Sequence, residues 1–112
     1  MRYMFFQCAS LKKLDLSSFN TNKVTKIRYM FNGCSSLEKI NLSSFNTNQI
    51  TDMSHMLNGC STLKQLNLSS FNTNKVKYMI YMFHKRSLLT EINNKDEKNK
   101  KVFKDECCCI II

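Results

Sequence analysis

Cys8, Cys34 and Cys60 stand 26 residues apart, and the same step links Phe19, Phe45 and Phe71. The string Ser-Ser-Phe-Asn-Thr-Asn recurs unchanged at 17 to 22, 43 to 48 and 69 to 74. A fixed period of this length makes the chain a row of one supersecondary unit, which cannot bury its apolar face alone and must stack on its neighbours. Three full units read as 8–33, 34–59 and 60–85, with partial units at both ends, so the repeat region covers 1–93. At Asn94 the position held by Leu16, Leu42 and Leu68 turns polar, and 94–112 reads as a charged tail.

Within a unit, Leu14 and Leu16 alternate after Leu11, the period-two pattern of a short strand with one buried face. Val24, Ile27, Met30 and Phe31 are spaced at three and four, which predicts one or two helical turns packed back onto the strand. Asn32-Gly33 and Asn58-Gly59 supply turn chemistry tolerant of positive φ. The expected fold is an α/β repeat solenoid of about three to four coils, each a short strand plus a short helix. Neighbouring strands would stand about 4.8 Å apart.

Met30-Phe31-Asn32-Gly33-Cys34-Ser35-Ser36-Leu37, followed by Ile40-Asn41-Leu42-Ser43-Ser44-Phe45-Asn46-Thr47, resembles leucine-rich repeats. It resembles more closely the BspA-like family of surface proteins, related to repeats of mycoplasma surface lipoproteins. The likeness covers about residues 1 to 93 and recurs three times. It implies a leucine-rich-repeat solenoid used for surface attachment or protein binding, and no catalysis.

Seventeen Lys plus Arg against eight Asp plus Glu give a net charge of +9, which excludes an acidic disordered tail and favours acidic partners or anionic lipid. Phe5, Phe19, Phe31, Phe45, Phe71 and Phe83 fall in core columns, which argues against base stacking and hence against nucleic acid. The longest apolar runs, Tyr78 to Phe83 and Cys107 to Ile112, are far below the roughly 18 residues of a membrane span. Tyr3-Met4-Phe5-Phe6 is too short for a secretory core, so synthesis in the cytosol is expected.

Few residues read as chemistry. The Cys8, Cys34 and Cys60 column would stack at disulfide-compatible spacing, but in a reducing cytosol small buried thiols are the expectation. Without a C-x-x-C pair, no zinc site is expected, and no cofactor. The Asn-Thr-Asn columns at 20 to 22, 46 to 48 and 72 to 74 are expected to ladder onto neighbouring backbone. His55 aligns with Tyr29 and Tyr81, and His84 with Asn32 and Asn58, so neither histidine forms a repeated column. No nucleophile, base and orienter set emerges, and no enzyme activity is expected. Alternation points Lys13, Asp15, Lys39, Asn41, Gln65 and Asn67 outward on one sheet face, the expected partner-binding surface.

The chain ends Cys109-Ile110-Ile111-Ile112, which fits a C-a-a-X prenylation box with an X nearer the geranylgeranyl preference. Cys107 and Cys108 are placed for palmitoylation, the second signal that stable anchoring needs. Some protozoan BspA-like proteins similarly end in such a box, and this tail looks like theirs. The combined expectation is a protein-binding or adhesion module, peripheral on the plasma membrane through its lipid, with an unidentified protein or matrix-type ligand. The alternatives are a soluble cytosolic scaffold or a fragment of a longer repeat protein. A first coil with no polar cap adds an expectation of end-to-end self-association.

Overall fold

The computed structural model describes residues 1–83 and the backbone of 91–93. Four three-residue strands recur at the sequence period: β1 (Lys13–Asp15), β2 (Lys39–Asn41), β3 (Gln65–Asn67) and β4 (Glu91–Asn93). β1 pairs with β2 in parallel, Leu14 opposite Ile40, and β3 pairs with β4 in the same register, Leu66 opposite Ile92. The 26-residue step is therefore a step from one coil to the next.

The expected α/β architecture, a leucine-rich-repeat-like solenoid with a short helix in each coil, is not what this chain forms. Among the described residues there is no helix. From Ile27 to Gly33 alternate N–H groups leave the coil: Ile27, Tyr29, Phe31 and Gly33 donate to the carbonyls of Asp52, Ser54, Met56 and Asn58 at 2.8–3.0 Å. The N–H groups between them close tight turns, Met30 onto Ile27, Asn32 onto Tyr29 and Cys34 onto Phe31, each at 3.2 Å. A helix would instead turn its N–H groups, after the first turn, onto carbonyls four residues back in the same segment. Met53, His55 and Leu57 repeat the pattern onto Tyr78, Ile80 and Met82.

Backbone conformation shows why a helix is barred. Tyr29, His55 and Tyr81 lie at φ of 58°, 57° and 54°, and Gly33 and Gly59 at 78° and 79°. Two left-handed residues in each of the segments 29–33 and 55–59 reverse the chain before a helix can propagate. So short a segment gains little from helix formation in any case. At Gly33 a Cβ would come within 3.1 Å of Gln7, so glycine there serves close packing of adjacent coils as well as φ.

The strand segments and the turn segments form two walls around one apolar cluster. Leu42 and Leu68 enter it from the strand side, Met53 and Met56 from the turn side, and Phe45 between them; all are buried. Spacing at three and four thus identified the inward residues of the turn wall, because successive tight turns repeat at nearly the helical interval. In the first coil Leu11, Leu14 and Phe19 pack against the cluster while partly exposed.

Phe45 is 2% exposed and stacks on Phe71 with ring centres 6.3 Å apart. Phe45→Ala should cost about 3–5 kcal/mol, comparable with the whole stability of a small domain. Urea unfolding is the check, and a variant with the parental midpoint would show the column to be misassigned.

Candidate functional site

Each coil contributes the same outward pair to the strand wall. Lys13 and Asp15, Lys39 and Asn41, and Gln65 and Asn67 are all exposed, as alternation required. Lys13 stands directly opposite Lys39, and Asp15 opposite Asn41. The second member of each pair also closes the turn that ends its strand: Asp15, Asn41 and Asn67 accept the N–H of Ser17, Ser43 and Ser69 at 2.9, 3.0 and 2.9 Å. The Ser17 backbone bond, with its hydroxyl, holds the Asp15 carboxyl below its ordinary value. The lysine row is thus the part of this face not committed to building it.

The Asn-Thr-Asn columns are structural. The Thr21 hydroxyl donates to the Asn46 carbonyl at 3.0 Å and accepts the Asn46 N–H at 2.9 Å, and Thr47 does the same with Asn72 at 2.9 and 2.7 Å. Thr21, Thr47 and Thr73 are buried, and the Thr21 and Thr47 hydroxyls each satisfy both the N–H and the carbonyl of a half-buried asparagine on the next coil. Asn20, Asn46 and Asn72 each accept the N–H two residues on.

Cys8, Cys34 and Cys60 are free thiols. Cys34 donates to the Phe5 carbonyl and Cys60 to the Phe31 carbonyl, at 3.1 and 3.2 Å. Burial pushes the Cys34 thiol up to about 11 and the Cys60 thiol up to about 12, which makes both poor nucleophiles. Among the described residues no group of His, Cys, Asp and Glu is placed to hold a metal ion.

His55, unlike the sequence expectation, does belong to a column. Tyr3 stacks on Tyr29 at 4.9 Å, Tyr29 on His55 at 4.5 Å, and His55 meets Tyr81 at 5.3 Å in a tilted contact. Phe6 meets both Tyr3 and Tyr29 edge-on. The Arg28 guanidinium lies 5.2 Å from the Tyr29 ring centre and 3.8 Å from the Asp52 carboxylate. The period carried this signal, but it appears only when imidazole and phenol are counted together as flat rings. His84, like Cys107, Cys108 and Cys109, lies outside the described residues.

The geometry is thus one of repeated rows on two walls, with no enclosed constellation of reactive groups among the described residues. The family model described as "Mycoplasma protein of unknown function, DUF285" matches residues 1–107. The chain belongs to that family. No curated protein and no solved structure matches it. Membership covers the repeats and most of the tail, and leaves function to be argued from the rows themselves.

Two tests follow from the buried polar groups. Thr47→Val keeps the shape but strands the Asn72 N–H and carbonyl, and should cost about 2–4 kcal/mol in thermal or urea unfolding. Loss below about 0.5 kcal/mol would mean that water or a shifted backbone replaces the hydroxyl. The thiols set an alkaline limit. Between the ordinary value of 9.0 and about 12, the unfolded chain releases the Cys60 proton while the folded chain keeps it. Stability is therefore fully present below pH 9 and falls as pH rises towards 12. Cys60→Ala should flatten that fall in melts recorded from pH 8 to 11, and an unchanged slope would assign it to other groups.

Proposed function

We propose that this chain is a non-enzymatic binding module of the BspA-like kind, holding a protein partner on its strand wall. The observation that carries this is the lysine row. Lys13 and Lys39 stand side by side in register, an arrangement that repels and costs stability. An acidic group placed across them would relieve it. Thr21 and Thr47 are occupied in coil-to-coil bonds, Asn20, Asn46 and Asn72 in turns of their own coils, and Asp15, Asn41 and Asn67 in closing their strands, so recognition on this wall falls to Lys13 and Lys39. Repeat stacks commonly bind partners along such rows. The partner class is an acidic protein of extracellular-matrix type. Nucleic acid is disfavoured, because the phenylalanine columns Phe31, Phe45, Phe71 and Phe83 are buried where no base can stack.

The second half of the reading is attachment. Cys109 would carry an isoprenoid, and Cys107 or Cys108 an acyl chain, placing the module on the plasma membrane.

Two experiments test this. Beads bearing the chain should be retained on a surface coated with an acidic matrix glycoprotein, and Lys13→Glu with Lys39→Glu should reduce retention at least about fivefold, a loss of about 1 kcal/mol. Equal retention would remove the strand wall from the function. Intact mass of the protein from its own cells should show an isoprenoid and loss of Ile110 to Ile112, and Cys109→Ser should move it to the soluble fraction. An unmodified mass, or a variant still wholly bound, would refute the anchor.

A further inference from the structure

All four tyrosines of the chain, Tyr3, Tyr29, Tyr78 and Tyr81, lie on the turn wall. Tyr3 and Tyr81 occupy the same repeat position at opposite ends of the described stack, and are 49% and 40% exposed. Their exposure is therefore a property of the wall. Met4 is different: its counterparts Met30, Met56 and Met82 are buried, so its exposure belongs to the first coil alone. Tyr78, 47% exposed, stands in the bridge column with Asp52 and Lys26. Phe6, 40% exposed, leans on the ring column.

Exposed charge on this wall has one sign. Residues 1–83 contain three carboxylate side chains, Asp15, Glu38 and Asp52. Asp15 ends β1 and Glu38 directly precedes β2, on the other wall. Asp52 is buried, accepts the Ser54 N–H and faces Arg28. Exposed Lys26 and Lys77 thus flank the tyrosines with no exposed carboxylate from the described residues of the turn wall.

We propose that the turn wall is a docking face for an anionic lipid bilayer, distinct from the strand wall that holds the partner. Ring geometry selects this occupant. Tyr29 is stacked on by both Tyr3 and His55, which removes the surface a sugar or a nucleic-acid base would stack on at the centre of the column, while Tyr3, Tyr78 and Tyr81 stay 49%, 47% and 40% exposed around it. Amphipathic rings presented that way suit the headgroup layer, where an apolar body and a polar tip are both accommodated. Lysines beside them add attraction to anionic headgroups. A bilayer on this wall leaves the strand wall facing away from the membrane. The proposal rests on the attachment reading only for that orientation, since the contact itself needs no lipid on the protein.

The test uses the full 112-residue chain made without lipid. With no tryptophan present, its fluorescence comes from tyrosines of this wall alone. Vesicles of phosphatidylcholine and phosphatidylserine should bind the chain, and brominated lipid should quench the tyrosines; phosphatidylcholine vesicles should do neither. Lys26→Gln with Lys77→Gln should weaken binding at least about tenfold. Lys13→Gln with Lys39→Gln should leave it within about twofold. A chain that ignores both vesicle types overturns the proposal and leaves the wall to a protein partner. So does equal loss in the two lysine pairs, which would make the attraction one of net charge. Bound vesicles with an unmodified cellular mass would retain this face and reject the lipid anchor, so the two failures are separable.

Discussion

A constant coil length is the condition on which everything else depends. On the turn wall the N–H of residue i meets the carbonyl of residue i+25, and the Thr21 and Thr47 hydroxyls meet the backbone 25 residues on. One residue more or fewer in a single coil would displace a whole set of these contacts at once, and would turn side chains from inside to outside. The Thr47 hydroxyl is buried, so a displaced coil would leave it and the half-buried Asn72 backbone without their mutual bonds. This explains why the string Ser-Ser-Phe-Asn-Thr-Asn is repeated without change while the outward strand positions vary from Lys to Gln. The invariant residues hold the step, and the variable ones are free to differ from coil to coil.

What the sequence disclosed and what it hid follow from the same geometry. The period, the inward Leu and Phe columns and the outward Lys13, Lys39 and Gln65 were legible, because burial alternates with the pleat and repeats with the coil. The missing helix was not. Ile27, Met30 and Phe31 are inward at intervals that a helix and a run of tight turns share, and only the destination of the N–H groups tells the two apart. Residue type gave little warning, since a bulky residue at positive φ such as Tyr29 is uncommon enough that no propensity points to it. Asn32-Gly33 did mark one of the two reversals. The aromatic wall is hidden in the sequence for a chemical reason: His55 and tyrosine differ in identity, while stacking depends only on flat rings.

The strand face shows how structure and recognition share residues. Asp15, Asn41 and Asn67 point outward and also accept the N–H that ends their strand. Substituting them would unsettle the turns as well as any binding, so a loss of binding there would be ambiguous. The lysines carry no such double role in strand building, which makes the Lys13 and Lys39 pair the cleaner probe of the surface.

The ring column poses the sharper physical question. The left-handed conformation costs a residue with a Cβ roughly 1–2 kcal/mol, and glycine would relieve that at Tyr29, His55 and Tyr81. Glycine is already used four residues later, at 33 and 59. A ring therefore stands where the backbone alone would favour glycine. Aromatic stacking returns about 0.5–1.5 kcal/mol per pair, which about offsets the strain without exceeding it. On stability alone the choice is close to neutral. Half-exposed phenols at both ends of the column, Tyr3 and Tyr81, gain little from the fold itself. What the rings supply that glycine could not is an outward row of edges and hydroxyls at coil spacing, beside lysines. Strain of this kind, retained where it brings the fold no net stability, points to a surface that something else uses.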